Sequence, residues 1–206
     1  GRNDVITSIK AHSYGLSWFE QNADGSFKEH VILGKTKEDN ADGKGFSQIH
    51  AVQLEDMNGD GLPDLYVASG GYQLAPTSPL LQDRLYLNTG GGSFVKAPAG
   101  TLPPMLTSTA AVRAGDFNGD GYGDVVMGAP RNTFTDTALR TEGSGVVLYE
   151  GGLNTSLVPK GYSGTGQVNG HYYTYSVNKG WLGFSVAGVG DMNNDGLADL
   201  LIGMPQ

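Results

Sequence analysis

The sequence contains no cysteine, so disulfide cross-links and thiolate chemistry are excluded. It has no long stretch with apolar residues at the helical i, i+3, i+4 spacing, which argues against a helical fold. It shows neither a signal-peptide pattern nor an apolar run of membrane-spanning length. Basic residues are few: 13 Lys and Arg stand against 21 Asp and Glu, which gives a net charge of −8 and argues against a nucleic-acid partner.

Glycine is abundant instead, at 33 of 206 residues, while charged residues make up only 17%. This composition is typical of a turn-rich, all-β protein. The length is sufficient for a sizeable core, and we predict a single repeat region over residues 1–206.

Three nine-residue segments share one pattern, and we call them loop 1 (residues 56–64), loop 2 (116–124) and loop 3 (191–199). Positions 1, 3, 5 and 9 of each loop carry a side-chain oxygen, position 6 is glycine, and an apolar run follows. The residues at positions 1, 3, 5 and 9 are Asp56, Asn58, Asp60 and Asp64; Asp116, Asn118, Asp120 and Asp124; and Asp191, Asn193, Asp195 and Asp199.

Oxygen atoms from carboxylates, amides and backbone carbonyls are the ligands that Ca²⁺ takes in proteins. The backbone carbonyls at position 7 are natural additional ligands, from Leu62, Tyr122 and Leu197. Glycine at position 6 permits the sharp turn. The sequence therefore predicts about three Ca²⁺ sites. Nine of the 21 acidic residues lie in these loops, and three divalent ions would bring the formal charge from −8 to −2.

Two alternatives compete with this interpretation. An EF-hand shares the opening of the pattern, but it needs Glu at position 12 and flanking helices. Position 12 is Val67, Met127 or Ile202, each within a β-type run, so the EF-hand is rejected. The other alternative is that Asp, Asn and Gly are ordinary turn residues. The threefold recurrence with the same ninth-position Asp favours metal binding.

The loops recur inside a longer repeat. Its anchor glycines are 60, 60 and 75 residues apart, at Gly1, Gly61, Gly121 and Gly196. Each repeat predicts a strand before the metal loop, a buried strand after it, an aromatic or β-branched third strand, and a fourth strand after a Gly-containing turn. Such repeats predict an all-β fold of β-propeller-type blades, each with four antiparallel strands. The predicted units are approximately 1–48, 49–100, 108–180 and 181–206. A β-sandwich is the alternative, but it does not explain why the loop recurs at one place in each unit.

Several short motifs relate the chain to a known family. Gly128-Ala129-Pro130 matches the second half of the FG-GAP motif, and Leu182-Gly183-Phe184-Ser185 and Gly203-Met204-Pro205 are degraded versions of its halves. Trp18-Phe19-Glu20 and Tyr86-Leu87-Asn88 precede Gly-Ser-Phe hairpins, as in VCBS repeats. Over essentially its whole length the chain resembles the FG-GAP/VCBS repeats, which form the blades of integrin α-subunit head propellers and occur in many bacterial surface proteins.

The resemblance implies a propeller with Ca²⁺ between the first and second strands of each blade. Family propellers usually have seven blades, whereas this sequence accounts for about three: a partial first blade, in which Gly1 to Asp4 match only the end of a metal loop, two complete blades and the opening of a fourth. A ring needs at least ~4 blades. We therefore expect a fragment of a larger protein, a piece completed by homo-oligomerisation, or an engineered assembly. Weak calcium loops fill at about millimolar calcium, so the expected setting is extracellular or at the cell surface.

The predicted function is adhesion or recognition of a protein or carbohydrate, without membrane insertion. Tyrosines in a polar, glycine-rich segment provide rigid amphipathic contact area. The insertion 151–180 is therefore a candidate ligand surface, through Tyr162, His171, Tyr172, Tyr173 and Tyr175. The alternative for the last three tyrosines is that they belong to the outer strand of their blade.

An enzyme is not predicted. The four histidines are scattered, and no G-x-S-x-G, H-E-x-x-H or phosphate-binding glycine motif is present. Two further alternatives stay open: a structural or self-assembling scaffold without a ligand of its own, and the non-catalytic part of a calcium-dependent polysaccharide-acting enzyme.

Overall fold

A computed structural model describes residues 2–10, 14–36, 38–39, 48–71, 74–75, 78–102, 108–130, 144–151, 158–159, 173–175, 183–203 and 205. Within this part of the chain the regular structure is β-strand, apart from a single turn of 3₁₀-helix at Pro79–Leu81. Every strand pairing is antiparallel. The predicted all-β fold class is therefore confirmed. No helix among the described residues is long and apolar enough to cross a membrane.

The described strands form four sheets that follow one another along the chain. Sheet 1 contains β1 (Val5–Ser8), β2 (Leu16–Gln21) and β3 (Phe27–Leu33). Sheet 2 contains β4 (Ile49–Glu55), β5 (Asp64–Ser69), β6 (Arg84–Asn88) and β7 (Phe94–Lys96). Sheet 3 contains β8 (Ala111–Gly115), β9 (Asp124–Ala129), β10 (Ser144–Glu150), β11 (Val158–Pro159) and β12 (Tyr173–Tyr175). Sheet 4 contains β13 (Ser185–Gly190) and β14 (Asp199–Gly203).

Loops 1, 2 and 3 occupy the same place in three sheets. Loop 1 joins β4 to β5, loop 2 joins β8 to β9, and loop 3 joins β13 to β14, so each loop connects the first strand of a sheet to the second. The first strands are neighbours in space, since β4 contacts β8 and β8 contacts β13. The three loops therefore lie at the same end of the stacked sheets.

The strands that follow loops 1 and 2 form the core of their sheets, whereas β14, which follows loop 3, is only partly buried. Every residue of β5 is buried, and successive side chains point to opposite faces. Leu65 and Val67 pack with Leu16 of sheet 1 on one face. Tyr66 packs with Val112 of sheet 3 on the other face. Because one strand contributes to two hydrophobic clusters, sheets 1, 2 and 3 stack face to face.

The same alternation continues in sheet 3. Every residue of β9 is buried. Val125 and Met127 belong to the cluster shared with sheet 2, whereas Val126 packs with Val186 of sheet 4. After loops 1 and 2 the sequence is a nearly continuous apolar run because the strand there is covered on both faces. Stacked antiparallel sheets of this kind are propeller blades, and among the described strands sheet 2 has the four of a plain blade.

Sheet 3 departs from the predicted four-strand plan. The outer edge of β10 has two short partners: β11 pairs with Tyr149 and Glu150, and β12 pairs with the segment from Ser144 to Val146. The long insertion after β10 thus returns to the same edge twice. Tyr173 and Tyr175 lie in β12, which is the outer-strand alternative that the sequence left open for them.

A buried carboxylate joins sheets 2 and 3. Asp83, which precedes β6, accepts hydrogen bonds from the Ser69 N–H (2.7 Å) and the Tyr66 hydroxyl (2.8 Å). It also accepts one from the hydroxyl of Thr109, which precedes β8 (3.3 Å). Burial raises the pKa of Asp83 to about 7, against the opposing effect of these donors and of Arg84. This position gave no signal in the sequence.

We expect Asp83→Asn to remove a pH dependence from the free energy of unfolding. A carboxyl whose folded pKa is raised contributes stability that is fully present below its unfolded pKa of 3.8 and is lost as the pH rises through about 7. Within that window one proton changes stability by up to about 1.4 kcal/mol per pH unit. Urea unfolding at about pH 5 and about pH 8 should show a larger loss in the wild type than in the variant. Equal losses would contradict the role of Asp83.

Candidate metal centre

Loop 1 folds around the side chain at its first position. Asp56 Oδ1 accepts hydrogen bonds from the backbone N–H groups of Gly59 (2.8 Å) and Asp60 (3.1 Å). Asp56 Oδ2 accepts one from the Gly61 N–H (2.8 Å). A single carboxylate at position 1 therefore fixes the backbone at positions 4, 5 and 6.

The third and fifth positions are held together by a local network. Asn58 Oδ1 accepts a hydrogen bond from the Asp60 N–H (2.9 Å), and Asn58 Nδ2 donates one to Asp60 Oδ2 (3.0 Å). Asp60 Oδ1 accepts one from the Leu62 N–H (2.8 Å). These are the side-chain to backbone bonds by which Asx residues stabilise turns. The loop is thus built from its own predicted ligand residues.

The ninth position plays a different part, because Asp64 is buried at the start of β5. Its Oδ2 accepts a hydrogen bond from the Met57 N–H (3.2 Å), at position 2 of the loop. Its Oδ1 accepts one from the N–H of Asn88, the last residue of β6 (2.9 Å). One carboxylate therefore joins the loop, the second strand and the third strand.

Loops 2 and 3 repeat this geometry. Asp116 accepts hydrogen bonds from the N–H groups of Gly119, Asp120 and Gly121, and Asp191 accepts them from Asp195 and Gly196. The ninth-position Asp124 accepts from Phe117 N–H (2.8 Å) and Gly151 N–H (3.0 Å), and Asp199 accepts from Met192 N–H (2.7 Å). In sheet 1, Asp4 accepts from the N–H of Gln21 at the end of β2 (3.0 Å), as a ninth-position Asp does.

The backbone of each loop has positive φ at two positions. At position 6 the values are 85°, 88° and 90°, for Gly61, Gly121 and Gly196, as the sequence predicted. At position 4 they are 75°, 74° and 61°, for Gly59, Gly119 and Asn194. The second requirement was missed. Its signal was the Gly-Gly-Asn series at position 4, since Asn is the non-glycine residue that most readily adopts this conformation.

The carboxylates within a loop repel one another. Burial raises the pKa of Asp64, and the charges of Asp60 and Asp56 also raise it, against the hydrogen bonds that lower it. Burial likewise raises the pKa of Asp124 to about 6, and the charge of Asp120 adds to the shift. A cation among these oxygens would relieve the repulsion and favour the ionised forms.

The donor set of each loop fits a hard divalent cation. It offers three carboxylates, one side-chain amide and the position 7 carbonyl, and all of these supply oxygen. Among the described residues, no three Asp, Glu, His or Cys side chains are gathered closely enough to hold a metal ion. The carboxylates of the loops accept hydrogen bonds from backbone N–H groups of their own loops. An ionised carboxylate has about four lone-pair sites, so it can keep these bonds and also bind a cation.

The structure describes only part of the insertion that carries the predicted ligand surface. Tyr162, His171 and Tyr172 lie outside the described residues. Tyr173 and Tyr175 lie on the backbone of β12. This surface stays a prediction.

The stacked sheets and their repeated loops indicate a repeat protein of the propeller class. Comparison with known families gives the family. A model of the FG-GAP-like repeat matches residues 56–127, and a model of the FG-GAP repeat matches residues 108–148. The chain belongs to the FG-GAP repeat family, and its sheets are blades of the β-propeller type. The resemblance inferred from the motifs is confirmed for the FG-GAP repeat.

Among curated proteins the chain is similar to integrin α subunits. It is 34% identical to integrin alpha-4 of Xenopus laevis over 161 residues, which are 74% of this chain and 14% of that protein. It is 29% identical to integrin alpha-IIb of Mus musculus over 162 residues, 75% of this chain and 14% of that protein. It is 34% identical to integrin alpha-PS3 of Drosophila melanogaster over 85 residues, 39% of this chain and 7% of that protein. The matched segments thus span 7 to 14% of these relatives.

We expect Asp64→Ala to destabilise the protein both in calcium and in excess chelator. The substitution leaves the N–H groups of Met57 and Asn88 without their acceptor, and each donor that remains buried costs about 1–3 kcal/mol. Urea unfolding in CaCl₂ and in EGTA measures the effect. A loss that disappears in EGTA would mean that Asp64 acts only through the metal.

Proposed function

We propose that this chain is a calcium-stabilised FG-GAP module that acts in adhesion or recognition in an extracellular or cell-surface setting. The observation that carries the proposal is the oxygen-rich loop that recurs between the first and second strands of sheets 2, 3 and 4. The similarity to integrin α subunits supports the setting and a non-catalytic role.

In the proposed sites each loop contributes four side chains and one backbone carbonyl. Loop 1 uses Asp56, Asn58, Asp60, Asp64 and the Leu62 carbonyl; loop 2 uses Asp116, Asn118, Asp120, Asp124 and the Tyr122 carbonyl; loop 3 uses Asp191, Asn193, Asp195, Asp199 and the Leu197 carbonyl. Bound Ca²⁺ would offset the negative charge of the three carboxylates in each loop. Because each loop connects two strands of its blade, the free energy of binding becomes free energy of folding.

The fifth position is the best place to test calcium binding, because its carboxylate is exposed and its hydrogen bonds stay within the loop. We expect Asp60→Ala to lower stability in calcium and to change it little in EGTA. A single site at 100 times its Kd stabilises the folded state by about 2.7 kcal/mol, so a loss of this order is expected at saturating calcium. Thermal unfolding in CaCl₂ and in EGTA measures it.

Glu38→Ala is the matched control, since Glu38 is an exposed acid outside the loops and its removal changes the net charge equally. It should leave the calcium-dependent stabilisation intact. If Asp60→Ala were equally destabilising with and without calcium, the metal assignment of loop 1 would be wrong.

The recognition role is tested by binding to immobilised extracellular-matrix proteins and to a glycan array, each in CaCl₂ and in EGTA. We expect binding to at least one protein or glycan in calcium, and weaker binding in EGTA, because the blades that present the surface need their ions. A lyase assay on acidic polysaccharides accompanies the array. Failure to bind any partner would favour the scaffold alternative, and polysaccharide cleavage would contradict the non-catalytic role.

A further inference from the structure

Loops 1 and 2 touch each other, although they belong to different sheets. The N–H of Gly123, at position 8 of loop 2, donates a hydrogen bond to the backbone carbonyl of Asp56, at position 1 of loop 1 (2.8 Å). Asp56 is also the residue whose carboxylate organises loop 1. One residue therefore belongs to the predicted site of loop 1 and to the boundary with loop 2.

A second contact also joins loop 2 to loop 1. The ring of Tyr122, at position 7 of loop 2, lies against the backbone of Gly59, at position 4 of loop 1. A Cβ atom on Gly59 would lie 2.6 Å from Tyr122 Cε1, so only glycine accommodates this ring without a shift. The carbonyl of Tyr122 is a proposed ligand of loop 2. Tyr122 therefore faces both sites, with its backbone in one loop and its ring on the other.

The boundary is closely packed around two further glycines. A Cβ atom on Gly123 would meet the side chain of Glu55 and would lie 3.0 Å from the Asp56 carbonyl. A Cβ atom on Gly151, whose N–H binds Asp124, would meet the Gly123 carbonyl and lie 3.1 Å from the Met57 carbonyl. Backbone atoms packed this closely leave little room for one loop to change conformation while the other stays fixed.

Loops 2 and 3 are joined less tightly. The Leu197 side chain covers Gly119 as Tyr122 covers Gly59, and a Cβ atom on Gly119 would lie 3.3 Å from Leu197 Cδ2. Position 8 of loop 3 is Ala198 instead of glycine. Within the described residues, the Ala198 N–H does not form the counterpart of the bond that Gly123 donates.

We propose that calcium binding at loops 1 and 2 is positively coupled through the Gly123–Asp56 hydrogen bond and the Tyr122–Gly59 contact. The inference rests on the proposed calcium sites. Binding at loop 2 orders the Tyr122 carbonyl, and with it the ring and the adjacent N–H that hold loop 1. Loop 1 then loses less conformational entropy when it binds its own ion. Because coupling is reciprocal, loop 1 strengthens loop 2 by the same factor.

The test is a calcium titration of the whole chain followed by ¹H–¹⁵N NMR. The position 6 amides of Gly61, Gly121 and Gly196 report the three loops separately. Asp120→Ala removes a ligand from loop 2, and we expect it to raise the calcium midpoint at Gly61 about fivefold or more, within the usual range of coupling. Asp60→Ala should shift the midpoint at Gly121 by the same factor.

Two further variants separate contact from general destabilisation. Asp195→Ala removes the equivalent ligand from loop 3 and should leave the midpoint at Gly61 unchanged. Tyr122→Leu keeps the backbone carbonyl and introduces the residue type that loops 1 and 3 carry at position 7. In the Tyr122→Leu background, Asp120→Ala should shift the midpoint at Gly61 less, as a double-mutant cycle measures.

Three other outcomes would contradict the proposal. An unchanged midpoint at Gly61 in Asp120→Ala, with normal responses at Gly196, would overturn the coupling and leave the calcium sites standing. Equal shifts of the midpoint at Gly61 in Asp120→Ala and Asp195→Ala would indicate a global loss of stability. That result would overturn coupling through the contact between loops 1 and 2. If none of the three glycine amides responded to calcium, the proposed function and the coupling would both be overturned.

Discussion

A carboxylate buried at the start of the second strand is the constraint on which sheets 2 and 3 depend, whereas the equivalent Asp199 of sheet 4 is only partly buried. Asp64 and Asp124 are fully buried, and burying an ionised carboxylate is costly unless hydrogen bonds and opposite charge compensate it. The hydrogen bonds come from the second residue of the loop and from the end of the third strand. The carboxylate therefore links the loop, the second strand and the third strand, and its hydrogen bonds form only when all three are folded together. The proposed cation would supply the opposite charge.

The same strand connects the site to the core. β5 begins with Asp64 and continues through residues that alternate between the clusters on its two faces. A displacement of the loop would therefore disturb the packing on both faces of β5 as well as the hairpin that the loop closes. The proposed calcium sites would therefore stabilise the stack of blades, and the proposed recognition would use surfaces elsewhere on the module. The insertion that supplies β11 and β12 adds two short strands at the edge of β10, and it is the surface that the sequence predicts for a ligand.

Much of the fold followed from short-range patterns. The nine-residue loop, the apolar run after it and the Gly-Ser-Phe hairpins predicted the order of the strands, and the structure has strands at those places. The sequence left an outer strand open for the tyrosines now in β12, but it did not predict that β11 shares this edge, because the insertion is polar and glycine-rich and has no period of two. Asp83 was missed for a related reason. A single Asp beside a strand looks like a turn residue, and only the approach of Thr109 from the next sheet shows that it is buried.

The sequence by itself determined the loops, because the hydrogen bonds inside each loop join residues at most seven positions apart and depend on side chains and glycines that recur in the same order. Only the tertiary structure decided how the loops meet. Tyr122 lies against Gly59, and Gly123 donates to Asp56, across more than 60 residues of sequence. These contacts depend on the distance and angle at which two sheets stack. That geometry follows from packing around β5 and β9, and no local pattern records it.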